Sequence, residues 1–348
     1  MAIITIIGAG MMGSAMSVPA RDNGHEVRLV GTHLDVDIIN TLKDTGEHPK
    51  MRRMLPGGIA YHQIEEVDAA LEGAELVICG VSSFGVEWFG TEMLPKIPDG
   101  VPVLSITKGL QVQEDGTLIT FPEVFASMLP QGRNLSLNAV GGPCTSYELA
   151  DRHQTEVVFC GNDMEMLRSL RALLTTDYYH ISISMDVLGV EVAVALKNAF
   201  ALGVTMAIGM AEKADGNGCV EHYNAEAALF GQSVKEMGKL LALLGGGPEN
   251  LAYGIGDLYV TVFGGRTRLL GTLLGRGLSF TTAMQKLDGI TLESVVISRR
   301  IMQALKARAE AGKADLREYP LLSHVASVIE EGAQVDIPWE AFASSGRE

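Results

Sequence analysis

Seven short apolar runs rich in β-branched residues recur over the first half of the chain, at 2–8, 26–31, 75–81, 102–107, 135–141, 156–161 and 180–184. Helix-like stretches separate them, for example 11–22, 84–94, 118–129 and 163–175. Near-continuous apolar runs suit strands buried on both faces, and their alternation with helices predicts a mostly parallel sheet with helices on both sides. That is an α/β architecture with an N-terminal, Rossmann-like doubly wound sheet. After Ser184 the rhythm stops. Helical patterns follow at 186–212, 221–244, 279–287, 292–311 and 320–331, broken by glycines at 245–247, 264–265 and 275–277. A chain of 348 residues exceeds one ordinary core. Two domains are therefore expected, a Rossmann-like domain over 1–186 and an all-helical domain over 187–348, with residues 344–348 fraying.

Bulk properties exclude several classes. The formal charge of −15 argues against nucleic acid, which needs a basic footprint. The cysteines (Cys79, Cys144, Cys160, Cys219) form no CxxC pair, so neither a zinc site nor a disulfide framework is expected, and a reducing cytoplasm is the simplest setting. The apolar N-terminus lacks the basic start of a signal peptide and is broken by patterned glycines. The run from Val187 to Met210 is long enough to span a bilayer but carries Glu191, Lys197 and Asn198. Charges are costly in lipid, so it reads as a buried helix and no membrane span is expected.

The stretch IIGAGMMG (6–13) is G-x-G-x-x-G at Gly8, Gly10 and Gly13, directly after a strand run and opening a helix. In a dinucleotide-binding turn the first glycine makes the bend, the second admits the pyrophosphate and the third lets helix and strand pack. The helix start, Met11 and Met12, would face the phosphate charge. A lone match is equally a tight turn; its position after one strand and before a second at 26–31 favours the cofactor. An NAD site places an acid at the end of that second strand to hold the ribose 2′-OH. Here Gly31, Thr32 and His33 stand there, with no carboxylate before Asp35. The reading leans to NADP, with His33, Arg52 or Arg53 to pair with a 2′-phosphate. The alternative is that Asp35 reaches back and serves NAD.

Three further stretches carry chemistry. VAVALKNAFALGV (192–204) puts Lys197 in a helix that is apolar nearly all round, and a lysine is almost never buried unless paired or used. SITKGL (105–110) ends a strand run with Lys108. The ordinary reading is a solvated loop lysine, but ligands of open α/β sheets sit at such strand ends. GIGDLYVTVFGGRTR (254–268) holds Asp257 and Thr261 four apart, hence on one helix face, followed by Arg266 and Arg268 among glycines. A helix-capping Asp and a surface Arg pair would also explain it, yet a glycine-bordered Arg-Thr-Arg suits a phosphate, which guanidinium binds bidentately.

GAGMMGSA (8–15), SITKGL, VALKNAFALG (194–203) and GIGDLYVT…GGRTR, in this order and over nearly the whole chain, resemble the soluble nicotinamide-dependent glycerol-3-phosphate dehydrogenases. GGPCTSYELA (141–150) and LESVV (292–296) resemble further family segments, the second placing Glu293 near the cofactor. The resemblance implies interconversion of dihydroxyacetone phosphate and glycerol 3-phosphate with NADP or NAD. It implies Lys197 as general acid, Lys108 holding substrate beside the cofactor, and Asp257 orienting and balancing the lysines. It implies Asn198, Thr261, Arg266 and Thr267 as substrate contacts, the phosphate going to Arg266. A homodimer is the family's usual state. Burial and a second cation lower a lysine's pKa toward the operating pH, where a general acid works best, while Asp257 opposes that shift.

There are departures. Thr267 stands where the family has Asn, Met12 where it has an aromatic, and Cys144 where it has a hydroxyl residue. Thr267 bears on which phosphorylated ketone is used. The rival readings are a related reductase, of the ketopantoate or opine type, and a cofactor-binding regulator without catalysis. The first would not need Arg266; the second would have lost Lys197 or Asp257. His222 and His324 read as structural, and Met11, Met12, Met16, Met206 and Met210 as core filler.

Overall fold

The computed structural model describes residues 1–290 and 292–344. Its strands are β1 (Ile3–Ile7), β2 (Glu26–Val30), β3 (Glu47–His48), β4 (Arg53–Met54), β5 (Ile59–His62), β6 (Leu76–Cys79), β7 (Val103–Ser105), β8 (Leu110–Val112), β9 (Leu118–Thr120), β10 (Leu137–Gly141), β11 (Thr155–Cys160) and β12 (Tyr179–Ser184). Its helices are α1 (Met11–Asp22), α2 (Val36–Thr45), α3 (Val67–Leu71), α4 (Val86–Trp88), α5 (Phe121–Met128), α6 (Ser146–Ala150), α7 (Met164–Leu174), α8 (Val187–Asp215), α9 (Tyr223–Leu244), α10 (Leu251–Phe263), α11 (Arg266–Gly275), α12 (Phe280–Lys286), α13 (Glu293–Glu310), α14 (Pro320–Glu330) and α15 (Trp339–Ser344). The chain divides into two units, Met1–Gly109 with Thr120–Glu191, and Leu110–Ile119 with Val192–Glu348.

The first unit holds an eight-stranded sheet in the order β12-β11-β10-β7-β6-β1-β2-β5, parallel except where β10 meets β11. All seven strand runs expected from sequence are in it, joined by β5. The chain leaves β1 toward β2 on one side and later crosses to β6 on the other, so the strand order reverses beside β1. Such a switch point opens a crevice at the carboxyl ends of the strands. The core has apolar side chains from both faces, with Ile4, Ile6, Leu29, Ile78 and Phe159 fully buried.

Helix 84–94 is not continuous. A 3-10 turn at Ser83–Gly85, α4, a π turn at Phe89–Met93 and another 3-10 turn at Leu94–Lys96 replace it. Gly90 sits so close to Met128 that a Cβ there would lie 2.1 Å from its sulfur, and Pro95 cannot donate within a helix. The expected helix 118–129 starts three residues late because 118–120 form β9. Thr120 then caps α5 by accepting from the Glu123 amide while the Glu123 carboxylate accepts from the Thr120 amide.

The second unit is helical except for the β8–β9 hairpin, which groups with it although the chain on both sides of the hairpin belongs to the first unit. Residues 110–119 thus join a unit expected to begin at 187, while from Val187 onward the described elements are all helical, as expected. Within this unit Arg300 of α13 donates to the Leu110 carbonyl at 2.5 Å and Arg308 to that of Gly116 at 3.1 Å. A Cβ on Gly116 would lie 2.5 Å from that of Ala307. The boundary at 191 falls inside α8, which is 29 residues long and apolar enough to cross a bilayer by length and composition. Most of its apolar window, 78%, is buried in protein instead. Residues 345–348, expected to fray, lie outside the described residues.

Candidate functional site

The glycine loop is built as the fingerprint requires. Gly8 ends β1 at φ +113°, and a Cβ there would lie 2.7 Å from the Gly80 backbone at the end of β6. A Cβ on Gly13 would lie 2.1 Å from the Gly8 carbonyl oxygen, so only glycine lets α1 pack this close to β1. Gly10 differs: nothing lies within 4 Å of where its Cβ would be. That open face, at the start of a helix with no side-chain cap and no acid in its first turn, suits an anion meeting backbone amides. These residues fit a dinucleotide's pyrophosphate, with Met11 and Met12 supplying the helix start.

Two side chains hold the loop from outside, and sequence reasoning did not single out their part in it. Asp35, at the start of α2, accepts at one oxygen from the Ala9 amide at 3.2 Å, the Thr32 amide at 3.0 Å and the Thr32 hydroxyl at 2.8 Å. His48, fully buried in β3, contacts the Ala9 carbonyl through Nε2 at 3.0 Å while Nδ1 accepts from the Met51 amide at 3.0 Å. Nδ1 as acceptor makes the ring neutral with its proton on Nε2. Burial holds the His48 pKa below its ordinary value. The sequence signal for Asp35 is its place just after β2, where an NAD site keeps its acid; nothing local marks His48.

The candidate 2′-phosphate residues separate. Arg53 pairs with Asp151 through two hydrogen bonds at 2.7 and 2.9 Å. Arg52, at the tip of the β3–β4 turn, is exposed, and among the described residues its side chain has no hydrogen bond or ion pair. Its φ of +54° is rare for a non-glycine residue, a conformation held by the turn. His33 meets the Trp88 ring edge-on at 5.7 Å. Asp35 does reach back, but to the loop backbone.

Also in the first unit, Lys108 follows β7, and its ammonium donates to the Gly142 carbonyl at 2.5 Å, just past the end of β10. That places it at the carboxyl edge of the sheet.

In the second unit, Lys197 and Asp257 form an ion pair at 2.5 Å, their side chains 12% and 2% exposed. Helix packing makes the pair. Gly254 of α10 lies against α8 so closely that a Cβ would be 2.5 Å from the Ala193 carbonyl oxygen. One turn further along each helix stand Asp257 and Lys197, which that contact brings together. Asn198 is buried beside Lys197 in the chain. The Thr261 hydroxyl donates to the Asp257 carbonyl at 2.7 Å, so its oxygen lone pairs are what it offers a ligand.

The two arginines of the GGRTR loop have different tasks. Arg268 pairs with Glu221 and donates to the Val262 carbonyl at 3.1 Å. Arg266 is exposed, opens α11, and among the described residues makes no hydrogen bond or ion pair. Gly265 before it is the N-cap, at φ +86° and with no side chain to cover the helix's first amides, and no acid lies in the helix's first turn. Thr267, the next residue, is buried. The helix is anchored on α8 by glycines: a Cβ on Gly275 would lie 2.0 Å from the Met206 carbonyl oxygen. Glu293 opens α13. Among the described residues no cluster of His, Cys, Asp and Glu could hold a metal.

A switch-point glycine loop in one unit and a buried lysine–aspartate pair in a helical second unit define a two-domain dinucleotide-dependent dehydrogenase. Comparison with known proteins narrows this. Residues 3–167 match the model of the NAD-dependent glycerol-3-phosphate dehydrogenase N-terminus, and residues 186–340 that of its C-terminus. The chain belongs to the NAD-dependent glycerol-3-phosphate dehydrogenase family. It is 34% identical over 337 residues to the NADP(+)-dependent glycerol-3-phosphate dehydrogenase of Archaeoglobus fulgidus, covering 96% of this chain and 97% of the other. It is 29% identical to a glycerol-3-phosphate dehydrogenase [NAD(P)+] of Myxococcus xanthus, covering 94% and 92%. The crystal structure of glycerol-3-phosphate dehydrogenase from Coxiella burnetii superposes with a TM-score of 0.79 at 25% identity, covering 99% and 98%.

Proposed function

We propose that this protein interconverts dihydroxyacetone phosphate and sn-glycerol 3-phosphate with a nicotinamide dinucleotide, NADP in preference to NAD. The observation that carries the reading is the buried Lys197–Asp257 pair in a chain of this family. A dinucleotide held at Gly8, Gly10 and Gly13 would supply or take up the hydride through its nicotinamide. Reduction also needs one proton at the carbonyl oxygen, and Lys197 Nζ is the donor; on oxidation the same nitrogen takes it back. Asp257 keeps the Lys197 side chain in one orientation and balances its charge. Lys108 holds substrate and contributes positive charge as the carbonyl oxygen becomes alkoxide. Asn198 binds a substrate hydroxyl or carbonyl group, and the Thr261 oxygen, its proton engaged by the Asp257 carbonyl, accepts from a substrate hydroxyl. Arg266 and the amides that open α11 take the phosphate, with Thr267 giving a shorter hydrogen-bonding reach than the asparagine of relatives.

The cofactor preference rests on the end of β2. The Asp35 carboxylate is engaged by Ala9 and Thr32, while Arg52 and His33 are at hand for a 2′-phosphate. Glu293 is assigned to the cofactor. The relative from Archaeoglobus fulgidus, which carries the NADP(+)-dependent name, supports this choice. We place the protein in the cytoplasm, supplying glycerophospholipid metabolism; none of its four cysteines is in a disulfide, which suits a reducing compartment. It acts as a homodimer on this reading, supported by exposed Tyr259, Phe263 and Leu269 in the helical unit.

A substrate panel with both cofactors tests the reading. Oxidation of NADPH with dihydroxyacetone phosphate is expected, with higher kcat/KM than for NADH. Absence of turnover at millimolar substrate, or turnover of ketopantoate in its place, refutes the substrate; a clear NADH preference refutes the cofactor.

A further inference from the structure

The β3–β4 ribbon has little of its own to hold it. Its strands are two residues each, and they form a sheet by themselves, apart from the eight-stranded one. A ribbon so short is marginal unless something else fastens it. Two side chains do. On the β4 side Arg53 is fixed by its pair of hydrogen bonds to Asp151. On the β3 side stands the fully buried His48. Its carbonyl accepts from the Arg52 amide at 2.7 Å, its Nδ1 accepts from the Met51 amide at 3.0 Å, and its Nε2 donates to the Ala9 carbonyl at 3.0 Å. A histidine that served the ribbon alone would need only the first two. The third goes out to the glycine loop.

Ala9 is where the two holds meet. His48 binds its carbonyl, and the Asp35 carboxylate binds its amide while also accepting from the Thr32 amide and hydroxyl. The 48–53 turn and the end of β2 are therefore tied to each other through one residue of the loop. The end of that strand is where a dinucleotide-binding fold reads the ribose 2′ position. At the tip of the turn Lys50 and Arg52 are exposed, and among the described residues the Arg52 side chain has no hydrogen bond or ion pair. Arg52 stands at φ +54°, which a non-glycine residue keeps only where its surroundings impose it. Here the amides of Met51 and Arg52, both bound to His48, impose it. A guanidinium so presented is suited to a phosphate, which it binds bidentately.

We propose that His48 is a positioning residue for cofactor choice: it hangs the 48–53 turn from the glycine loop, so that the Arg52 guanidinium stands where a 2′-phosphate at the end of β2 arrives. It touches no part of the cofactor and acts through Arg52. The inference rests on the NADP reading above and deepens it, since the preference then depends on a buried side chain as well as on the exposed arginine.

Dinucleotide affinities of the full-length protein test it, the readout being the ratio of the Kd for NADH to that for NADPH. Arg52→Ala should lower this ratio about 10- to 100-fold, as when a charge-assisted contact is lost. His48→Asn keeps an acceptor for the Met51 amide but is too short to reach Ala9. It should lower the ratio about 10-fold with the Kd for NADH within a fewfold of native. His48→Gln, which has the reach and an N–H to donate, should restore part of the ratio. In the Arg52→Ala background His48→Asn should leave the ratio where it is. A His48→Asn protein that keeps the native ratio, or that loses NADPH and NADH alike, overturns the proposal, as does an Arg52→Ala protein with the native ratio. Wild type that binds both dinucleotides equally refutes the NADP reading and this inference with it; wild type that prefers NADPH while His48→Asn keeps that preference refutes this inference alone. A second arm needs no His48 variant to fold. The Nε2–H resonance of His48, followed by NMR in protein carrying nitrogen-15 histidine, should shift further with adenosine 2′,5′-bisphosphate than with adenosine 5′-monophosphate in wild type, and equally with both in Arg52→Ala. Equal shifts in wild type overturn the proposal.

Discussion

Alanine at Gly10 and at Gly13 should have opposite effects, although both change one glycine of one motif. At Gly13 the new Cβ lies 2.1 Å from the Gly8 carbonyl oxygen and 3.2 Å from its carbon, both backbone atoms that cannot swing aside. Overpacking typically costs about 1–3 kcal/mol, and contact with backbone on both elements puts Gly13→Ala at or above the top of that range. At Gly10 nothing lies within 4 Å, and the backbone is at φ −64°, where alanine is at ease. Alanine there restricts the unfolded chain and should stabilise the protein by about 0.4–1 kcal/mol. The methyl group fills the face left open for the pyrophosphate. Loss of one or two charge-assisted hydrogen bonds at about 1.5–3 kcal/mol each then raises the Kd for NADPH by at least about tenfold. Thermal melting without ligand reads the first effect, and fluorescence titration with NADPH the second. A Gly10→Ala protein that binds NADPH as tightly as wild type would refute the assignment of this loop to the cofactor. A Gly13→Ala protein that melts at the native temperature would refute the packing argument.

Two other predictions follow from the side-chain partners. Arg266→Ala should raise KM for dihydroxyacetone phosphate by about 10- to 100-fold with little change in melting temperature, whereas Arg268→Ala, which unpairs Glu221 and the Val262 carbonyl, should lower the melting temperature first; the reverse pattern would mean the wrong arginine has been given the phosphate. The His48 pKa is lower folded than unfolded, so its contribution is complete above the unfolded value of 6.5 and is lost as pH falls through 6.5 toward the folded value. Melting between pH 7 and pH 5 should therefore fall less steeply in His48→Gln than in wild type, and equal slopes would show that His48 does not titrate with unfolding.

Much of this could be read from the chain because local and global demands agree there. The central strands β1, β6 and β7 are buried on both sides, so their composition alone marks them, and each glycine of IIGAGMMG has the packing its place in the motif requires. What sequence could not show depends on tertiary contacts. The hairpin 110–119 groups with the helical unit through Arg300 and Arg308, which lie some 190 residues further along the chain. The short strands β3, β4 and β5 carry too few residues to show a period. His48 looks like any loop histidine until folding sets it against Ala9. The glycine break at 275–277 is where α11 ends, but sequence did not show that Gly271 and Gly275 also let the helix backbone approach α8. Thr261 shows the same limit on a smaller scale, since spacing put it on the face of Asp257 but not its hydroxyl proton on the backbone.

The central claim is that Lys197 supplies the proton, and Lys197→Met tests it most directly. The variant removes the donor and keeps the bulk of the side chain. Paired with Asp257→Asn, it also avoids leaving a carboxylate buried without its cation, a loss that costs about 3–5 kcal/mol on its own. The quantity to measure is kcat for dihydroxyacetone phosphate reduction by the double variant, with NADPH affinity determined on the same sample. The account predicts native NADPH affinity and a kcat reduced by about 10²- to 10⁴-fold. A kcat within a fewfold of wild type would contradict it.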